Sequence, residues 1–309
     1  MSSLRPTRVR MDGLPERVRI WEVGPRDGLQ NESVVIDTAT KVAFIDRLAD
    51  AGLPVIEATS FVRADRIPQL ADGAQVMAGI TRRPGTRYPV LVPNIRGLDA
   101  ALAADARDIA VFASATETFA ERNLGRSLAT QMEMFTPVLE RARAEGVPIR
   151  GYVSMCFGDP WEGFVDPRQV VDVCLELVDG GCSDVSLGDT IGVATPGQVR
   201  QLIGMLEAAG LDIERIGVHF HDTYGQALAN TLAALQSGVS TVDASAGGIG
   251  GCPYAESATG NLATEDVVWM LDGLGVETGV DLGKLAATSL WLAGHLGRPV
   301  QSRVGRALS

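Results

Sequence analysis

The 309-residue chain is 46% hydrophobic, 21% charged and 5% aromatic, which excludes a disordered, collagen-like or coiled-coil protein and supplies a core for one or two domains. Its 27 basic and 38 acidic residues leave a net charge of −11, which argues against a nucleic-acid partner. Lys41 and Lys284 are the two lysines, and every other basic residue is arginine.

Residues 1–17 carry Arg5, Arg8 and Arg10 without an apolar stretch and are expected to form a disordered or loosely attached tail. From Val18 onward, eight aliphatic or β-branched runs recur, at 18–23, 55–58, 88–92, 109–112, 149–153, 184–187, 215–220 and 241–244. They start roughly every 32 residues, a spacing that leaves room for a helix between neighbours. Helical periodicity fills the gaps, as in Val42, Ile45, Leu48 and Ala49, or Val170, Val173, Cys174, Leu177 and Val178. Gly52, Gly146, Gly180, Gly210 and Gly238 stand where helices close in a left-handed residue. Strand and helix in alternation imply parallel βαβ units, and eight units imply one α/β domain over 18–309, a (β/α)8 TIM barrel. Residues from about 261 onward read as the eighth helix and extra C-terminal helices. A doubly wound sheet would want a glycine fingerprint after an early strand, and Gly247-Gly248-Ile249-Gly250-Gly251 comes after the last one in the wrong pattern. Cys156, Cys174, Cys182 and Cys252 show no CxxC spacing, which points to a reducing cytoplasm. No apolar run approaches the ~18 residues of a membrane span, so no membrane partner is expected.

Barrels of this kind place chemistry where strands end. His219-Phe220-His221 is the sharpest signal there, because residues i and i+2 of a strand share a face and two imidazoles so placed converge on one metal ion. Asp27, just after the first run, offers a carboxylate. Asn261 offers an amide oxygen, or else caps the helix that follows. Such a mixed, hard donor set suits Mg²⁺ or Mn²⁺ better than structural zinc. Cys252 lies in a glycine loop able to hinge over a substrate, a poor place for a packing thiol, and is expected to react as nucleophile or proton donor. Cys174 and Cys182 read as small hydrophobes, and Cys156 is open to either role. Arg26 is the natural electrophile, whether or not it also pairs with Asp27 or Glu57. Asp189 and Asp222 read equally as imidazole partners or as caps. Neither lysine stands at a strand end, which removes an imine mechanism and leaves the metal route.

Several segments are similar to 3-hydroxy-3-methylglutaryl-CoA lyase. They are Glu22-Val23-Gly24-Pro25-Arg26-Asp27-Gly28-Leu29-Gln30-Asn31-Glu32, Ile56-Glu57-Ala58-Thr59-Ser60-Phe61-Val62, Arg150-Gly151-Tyr152-Val153-Ser154 and Ser186-Leu187-Gly188-Asp189-Thr190-Ile191-Gly192. His221-Asp222-Thr223-Tyr224-Gly225-Gln226-Ala227, Gly250-Gly251-Cys252-Pro253-Tyr254-Ala255 and Gly260-Asn261-Leu262-Ala263-Thr264-Glu265-Asp266 complete the match, which runs from about Val18 to Leu285. The resemblance implies metal-dependent cleavage of 3-hydroxy-3-methylglutaryl-CoA to acetyl-CoA and acetoacetate, with a place in leucine degradation and ketone-body formation. It implies Asp27, His219, His221 and Asn261 as ligands of Mg²⁺ or Mn²⁺, with Asp27 or His219 accepting the hydroxyl proton. Arg26 would bind substrate and stabilise an enolate, Cys252 would be the acid–base thiol, and Glu57, Asp189 and Glu265 would support the site. The stretch Ser154-Met155-Cys156-Phe157-Gly158-Asp159-Pro160-Trp161-Glu162-Gly163 departs from the family pattern, as does Asp281, which stands where the family tends to have Asn. A lyase for a different 3-hydroxyacyl-CoA is therefore the alternative, and a Claisen-condensing acyltransferase of the same superfamily the next. An acyl-CoA partner needs basic groups for its phosphates, for which Arg63, Arg66, Arg96 and Arg150 are candidates by position. A homo-oligomer, a dimer, is expected.

Overall fold

The computed structural model describes residues 5–251 and 260–309. Nine parallel strands form one sheet: β1 (Arg19–Glu22), β2 (Val55–Ile56), β3 (Thr59–Ser60), β4 (Val90–Leu91), β5 (Ile109–Ser114), β6 (Ile149–Ser154), β7 (Asp184–Asp189), β8 (Ile216–Phe220) and β9 (Thr241–Ala244). Their order is β2-β1-β9-β8-β7-β6-β5-β4-β3. The two ends of that series are one stretch of chain. Between β2 and β3, Glu57 N–H donates to Glu22 O at 2.8 Å on one side and Ala58 N–H to Pro89 O at 2.9 Å on the other. The second expected run is thus a kinked strand that closes the ring, and the architecture is the eight-membered α/β barrel. Each of the eight expected runs carries a strand.

The helices form the outer layer, and their stripes explain why. Thr38–Asp50 is opened by the Asp37 carboxylate, which accepts from Thr40 N–H at 2.9 Å, and buries Phe44, Ile45 and Leu48. Pro167–Gly180 begins with proline behind an Asp166 cap and buries Val170, Val173, Cys174 and Leu177. Gly180, expected as its left-handed closing residue, is instead its last helical one. The positive φ, 121°, belongs to Gly181, while Gly180 is small because a Cβ there would lie 2.7 Å from Leu139 Cδ1. After the eighth helix, Thr264–Gly273, the chain adds Leu282–Leu296 and Arg303–Ala307. Leu282–Leu296 lies against the first helix, where the Arg47 guanidinium sits 4.5 Å above the Trp291 ring. Asp281 caps this helix through Lys284 N–H at 3.1 Å, a task that asparagine performs equally well.

Ahead of β1, Val9 N–H donates to Gly273 O at 2.8 Å, Arg8 pairs with Asp272, and Arg17 pairs with Glu277 at 3.2 Å. No helix among the described residues is long and apolar enough to cross a membrane.

Candidate active site

The first βα connection turns sharply. Asp27 and Gly28 N–H both return to Val23 O, at 2.8 and 3.1 Å, through Gly24–Gly28. A Cβ on Gly24 would lie 2.6 Å from Glu22 Oε1, and one on Gly28 2.5 Å from the Ile249 side chain, so a larger residue at either position would displace a buried neighbour. The turn buries Arg26. Its Nε donates to Glu57 Oε1 at 2.5 Å and its Nη1 to Asp27 Oδ1 at 2.7 Å, with the guanidinium 5.4 Å over the Tyr152 ring. Glu57 Oε2 also accepts from Trp21 Nε1 at 3.3 Å and from the Tyr152 hydroxyl. Burial works against the charge of Arg26, but Glu57 and Asp27 overcome it and raise its pKa. Burial likewise opposes the Asp27 carboxylate, yet Arg26, His219 and His221 together bring it down to about 2.

His219, near the end of β8, and His221, just past it, bring their Nε2 atoms within 3.2 Å. Asp27, His219 and His221 each offer a ligand atom, all within 4.8 Å of one another. Asn261 reaches the same place by pairing with His221 across an isolated bridge. Its Nδ2 donates to Asp27 Oδ2 at 2.8 Å and to Ile249 O at 3.1 Å, while its Oδ1 is buried with no hydrogen-bond partner among the described residues. The following helix is preceded by Ala263, without a side-chain cap, so the amide faces Asp27 rather than the helix. Two imidazole nitrogens 3.2 Å apart cannot both carry a proton, and an orphaned amide oxygen beside an ionised carboxylate wants a positive partner. The donor set fits a divalent cation. His219 is disfavoured as a cation by burial, but Asp243 and Asp27 face it and its pKa is raised overall.

The supporting acids have distinct tasks. Glu265 accepts from Gly247 N–H at 3.0 Å and from the Ser289 hydroxyl, so it holds the turn Ala246–Gly248 from which the Cys252 loop departs. Glu22, which sequence reasoning passed over as a strand residue, holds the same turn through Ala246 N–H at 2.8 Å, and takes Gly24 N–H and the Thr264 hydroxyl. Burial raises both Glu22 and Glu265 to about 7. An acid whose folded pKa exceeds its unfolded value holds its proton more tightly when folded, so its contribution to stability falls as pH rises from about 4.5 to about 7. Glu22→Gln mimics the protonated form and cannot undergo that loss. The melting temperature of the variant relative to the parent should therefore climb between pH 5 and pH 8, by the equivalent of about 2–3 kcal/mol. Thermal melts across that range check this; a constant difference contradicts it.

Asp189, raised by burial to about 6, accepts from Val193 and Ala194 N–H at 2.9 and 3.1 Å, and Asp222 accepts from Ala227 N–H at 3.1 Å. Both carboxylates bind backbone at the starts of loops, as caps do. Arg150 requires a correction. It is 1% exposed inside the barrel, with Nη2 2.6 Å from Asp243 Oδ1 and its guanidinium 4.0 Å over Trp21, and cannot meet a CoA phosphate. Arg63 is exposed and bonded to Asp65. Cys156 is buried, its thiol donating to Val153 O at 3.1 Å and pushed well up by burial, which fits a packing role. Cys252 lies outside the described residues; just before it, Gly251 O accepts from Asn31 Nδ2 at 2.6 Å. Lys41 pairs with Asp72 at 2.6 Å on the outer helix and Lys284 reaches Asp50 O at 3.2 Å, so neither approaches the strand ends.

The HMGL-like family matches residues 17–291. Mitochondrial hydroxymethylglutaryl-CoA lyase of Gallus gallus is 50% identical over 95% of this chain and 98% of its own. Cytoplasmic 3-hydroxy-3-methylglutaryl-CoA lyase of Rattus norvegicus is 49% identical over 96% of this chain and 86% of its own. The crystal structure of hydroxymethylglutaryl-CoA lyase from Pseudomonas aeruginosa superposes with a TM-score of 0.93 at 50% identity, covering 96% of this chain and 98% of that one. An HMG-CoA lyase from A. baumannii, in complex with coenzyme A and 3-methylmalate, gives 0.91 at 35% identity and covers 97% of each chain. With the strands, the convergent donors and these matches in agreement over nearly the whole length, the chain belongs to the HMGL-like family.

Proposed function

We propose that this chain is a carbon–carbon lyase that cleaves 3-hydroxy-3-methylglutaryl-CoA to acetyl-CoA and acetoacetate, with Mg²⁺ or Mn²⁺ held by Asp27, His219, His221 and Asn261. The observation that carries the reading is the meeting of Asp27, two facing imidazole nitrogens and the orphaned Asn261 oxygen beside a buried Arg26. The bound cation would supply Lewis acidity, lowering the pKa of the substrate's tertiary hydroxyl. That hydroxyl gives its proton to the ionised Asp27 carboxylate. The oxygen then forms the ketone of acetoacetate as the C–C bond breaks, and the bonding pair passes to the acetyl-CoA enolate. Arg26, fixed by Glu57 and Asp27, meets the developing enolate charge without reorganising. The Cys252 thiol protonates the enolate carbon. Glu265 anchors the turn that leads to that thiol, and Asp189 shapes the neighbouring loop.

The assay follows acetoacetate from the protein stripped with a chelator and then resupplied with Mg²⁺ or Mn²⁺. Turnover should vanish and return. Metal-independent turnover removes the cation from the reading, and absence of turnover with metal removes the substrate.

A second reading rests on the hairpin that departs from the family. Asp159 and Gly163 exchange backbone hydrogen bonds, and the buried Asp159 carboxylate takes the Thr116 hydroxyl at 2.7 Å and Trp161 N–H at 2.7 Å, beside the ends of β5 and β6. A different 3-hydroxyacyl-CoA would be selected there, and a longer or branched analogue in the same assay tests it. The three described cysteines are free and buried, which supports a cytoplasmic location. A homodimer is the assembly we propose.

A further inference from the structure

Asp243, in β9, faces the metal cluster from behind. Register places it directly beside His219 on β8 and Trp21 on β1, and it is 1% exposed. Its Oδ1 accepts Arg150 Nη2 at 2.6 Å, and its Oδ2 accepts the Ser186 hydroxyl at 2.8 Å and stands 3.4 Å from His219 Nδ1. That nitrogen is buried and has no closer partner among the described residues. Space for the arrangement comes from Gly217, since a Cβ there would fall 2.6 Å from Arg150 Nη2. Arg150 sets a fixed positive charge against the buried carboxylate, and Ser186 fixes the direction of the oxygen that looks at the imidazole.

The tautomer of His219 follows. A bare lone pair on Nδ1 would oppose the acceptor oxygen Oδ2 3.4 Å away, whereas Nδ1–H is attracted to it. A proton on Nδ1 leaves Nε2 as a lone pair, and it is Nε2 that meets His221 at 3.2 Å. We propose that Asp243, aimed by Arg150 and Ser186, is a positioning residue for the metal site that holds His219 in its Nδ1–H tautomer and turns its Nε2 lone pair toward the cation. The proposal rests on the metal-dependent reading above. Asn at 243 inverts this order: its Oδ1 is claimed by Arg150, and its amide N–H then points at Nδ1 and favours the wrong tautomer.

The test uses the full chain. In Asp243→Asn, the dissociation constant for Mn²⁺, read from the electron paramagnetic resonance of free Mn²⁺, should rise about 10–100-fold, the usual cost of losing a carboxylate behind a ligating imidazole. Ser186→Ala removes no charge and keeps the fold, and should weaken Mn²⁺ in the same direction by less. Nitrogen NMR of the metal-free parent should report a protonated Nδ1 on His219. Unchanged Mn²⁺ affinity in Asp243→Asn, or a parent His219 protonated on Nε2, overturns the proposal. A parent that binds no Mn²⁺ overturns the metal reading instead, and the NMR spectrum then decides the Asp243–His219 contact by itself.

Discussion

Replacing His221 with alanine should lower acetoacetate formation by about 10³–10⁵-fold, because a lost Lewis acid is worth several kcal/mol of barrier and each 1.4 kcal/mol is tenfold. The side chain is buried, and one of its nitrogens lies 3.2 Å from His219 Nε2 in a cluster that also holds Asp27. Its removal leaves a carboxylate, an amide oxygen and one imidazole, too few donors to hold a cation in place against water. The loss should appear in kcat and in Mn²⁺ affinity together, and excess Mn²⁺ should recover part of the rate. A variant that keeps its parent's rate at limiting metal would remove His221 from the ligand set.

The second large effect is expected at Cys252. Alanine there should cost about 10²–10⁴-fold in kcat, the range for a positioned proton donor. Mn²⁺ affinity should stay at the parental value, since the thiol is not among the ligands, and this separates the variant from the His221 one. The turn that starts its loop is held by two buried carboxylates, Glu22 and Glu265, through consecutive N–H groups of Ala246 and Gly247, so the fold has reason to survive the change. Near-normal kcat in Cys252→Ala would take the thiol out of the reaction.

Much of this is legible in the sequence, for identifiable reasons. The eight runs stand out because parallel strands are buried on both faces and read as unbroken aliphatic stretches. His219 and His221 stand out because histidine is rare here and strand geometry puts i and i+2 together. Asp27 and Asn261 follow from asking what lies beside them. Polar residues inside strands are harder. Glu22 and Asp243 occupy strand positions that periodicity assigns to packing, Asp243 on the barrel face and Glu22 on the helix face, and their partners, Ala246 and Arg150, are remote in the chain. Arg150 misleads for a related reason: it is the second residue of β6, at the end of the strand opposite the active rim, so proximity to a strand is no guide to proximity to substrate. The split of the second strand at Glu57-Ala58 leaves no local signal, because closing a ring is a property of all the strands at once.

That split has a bearing on how this enzyme can change. Glu57 donates its backbone to the barrel's closing joint and lends its side chain to Arg26, Trp21 and Tyr152. Scaffold and electrophile share one hinge pin. Substitutions that ease the closure will also let the guanidinium wander, so lineages or engineers in search of a new acyl group must alter the outer loops and leave this strand alone.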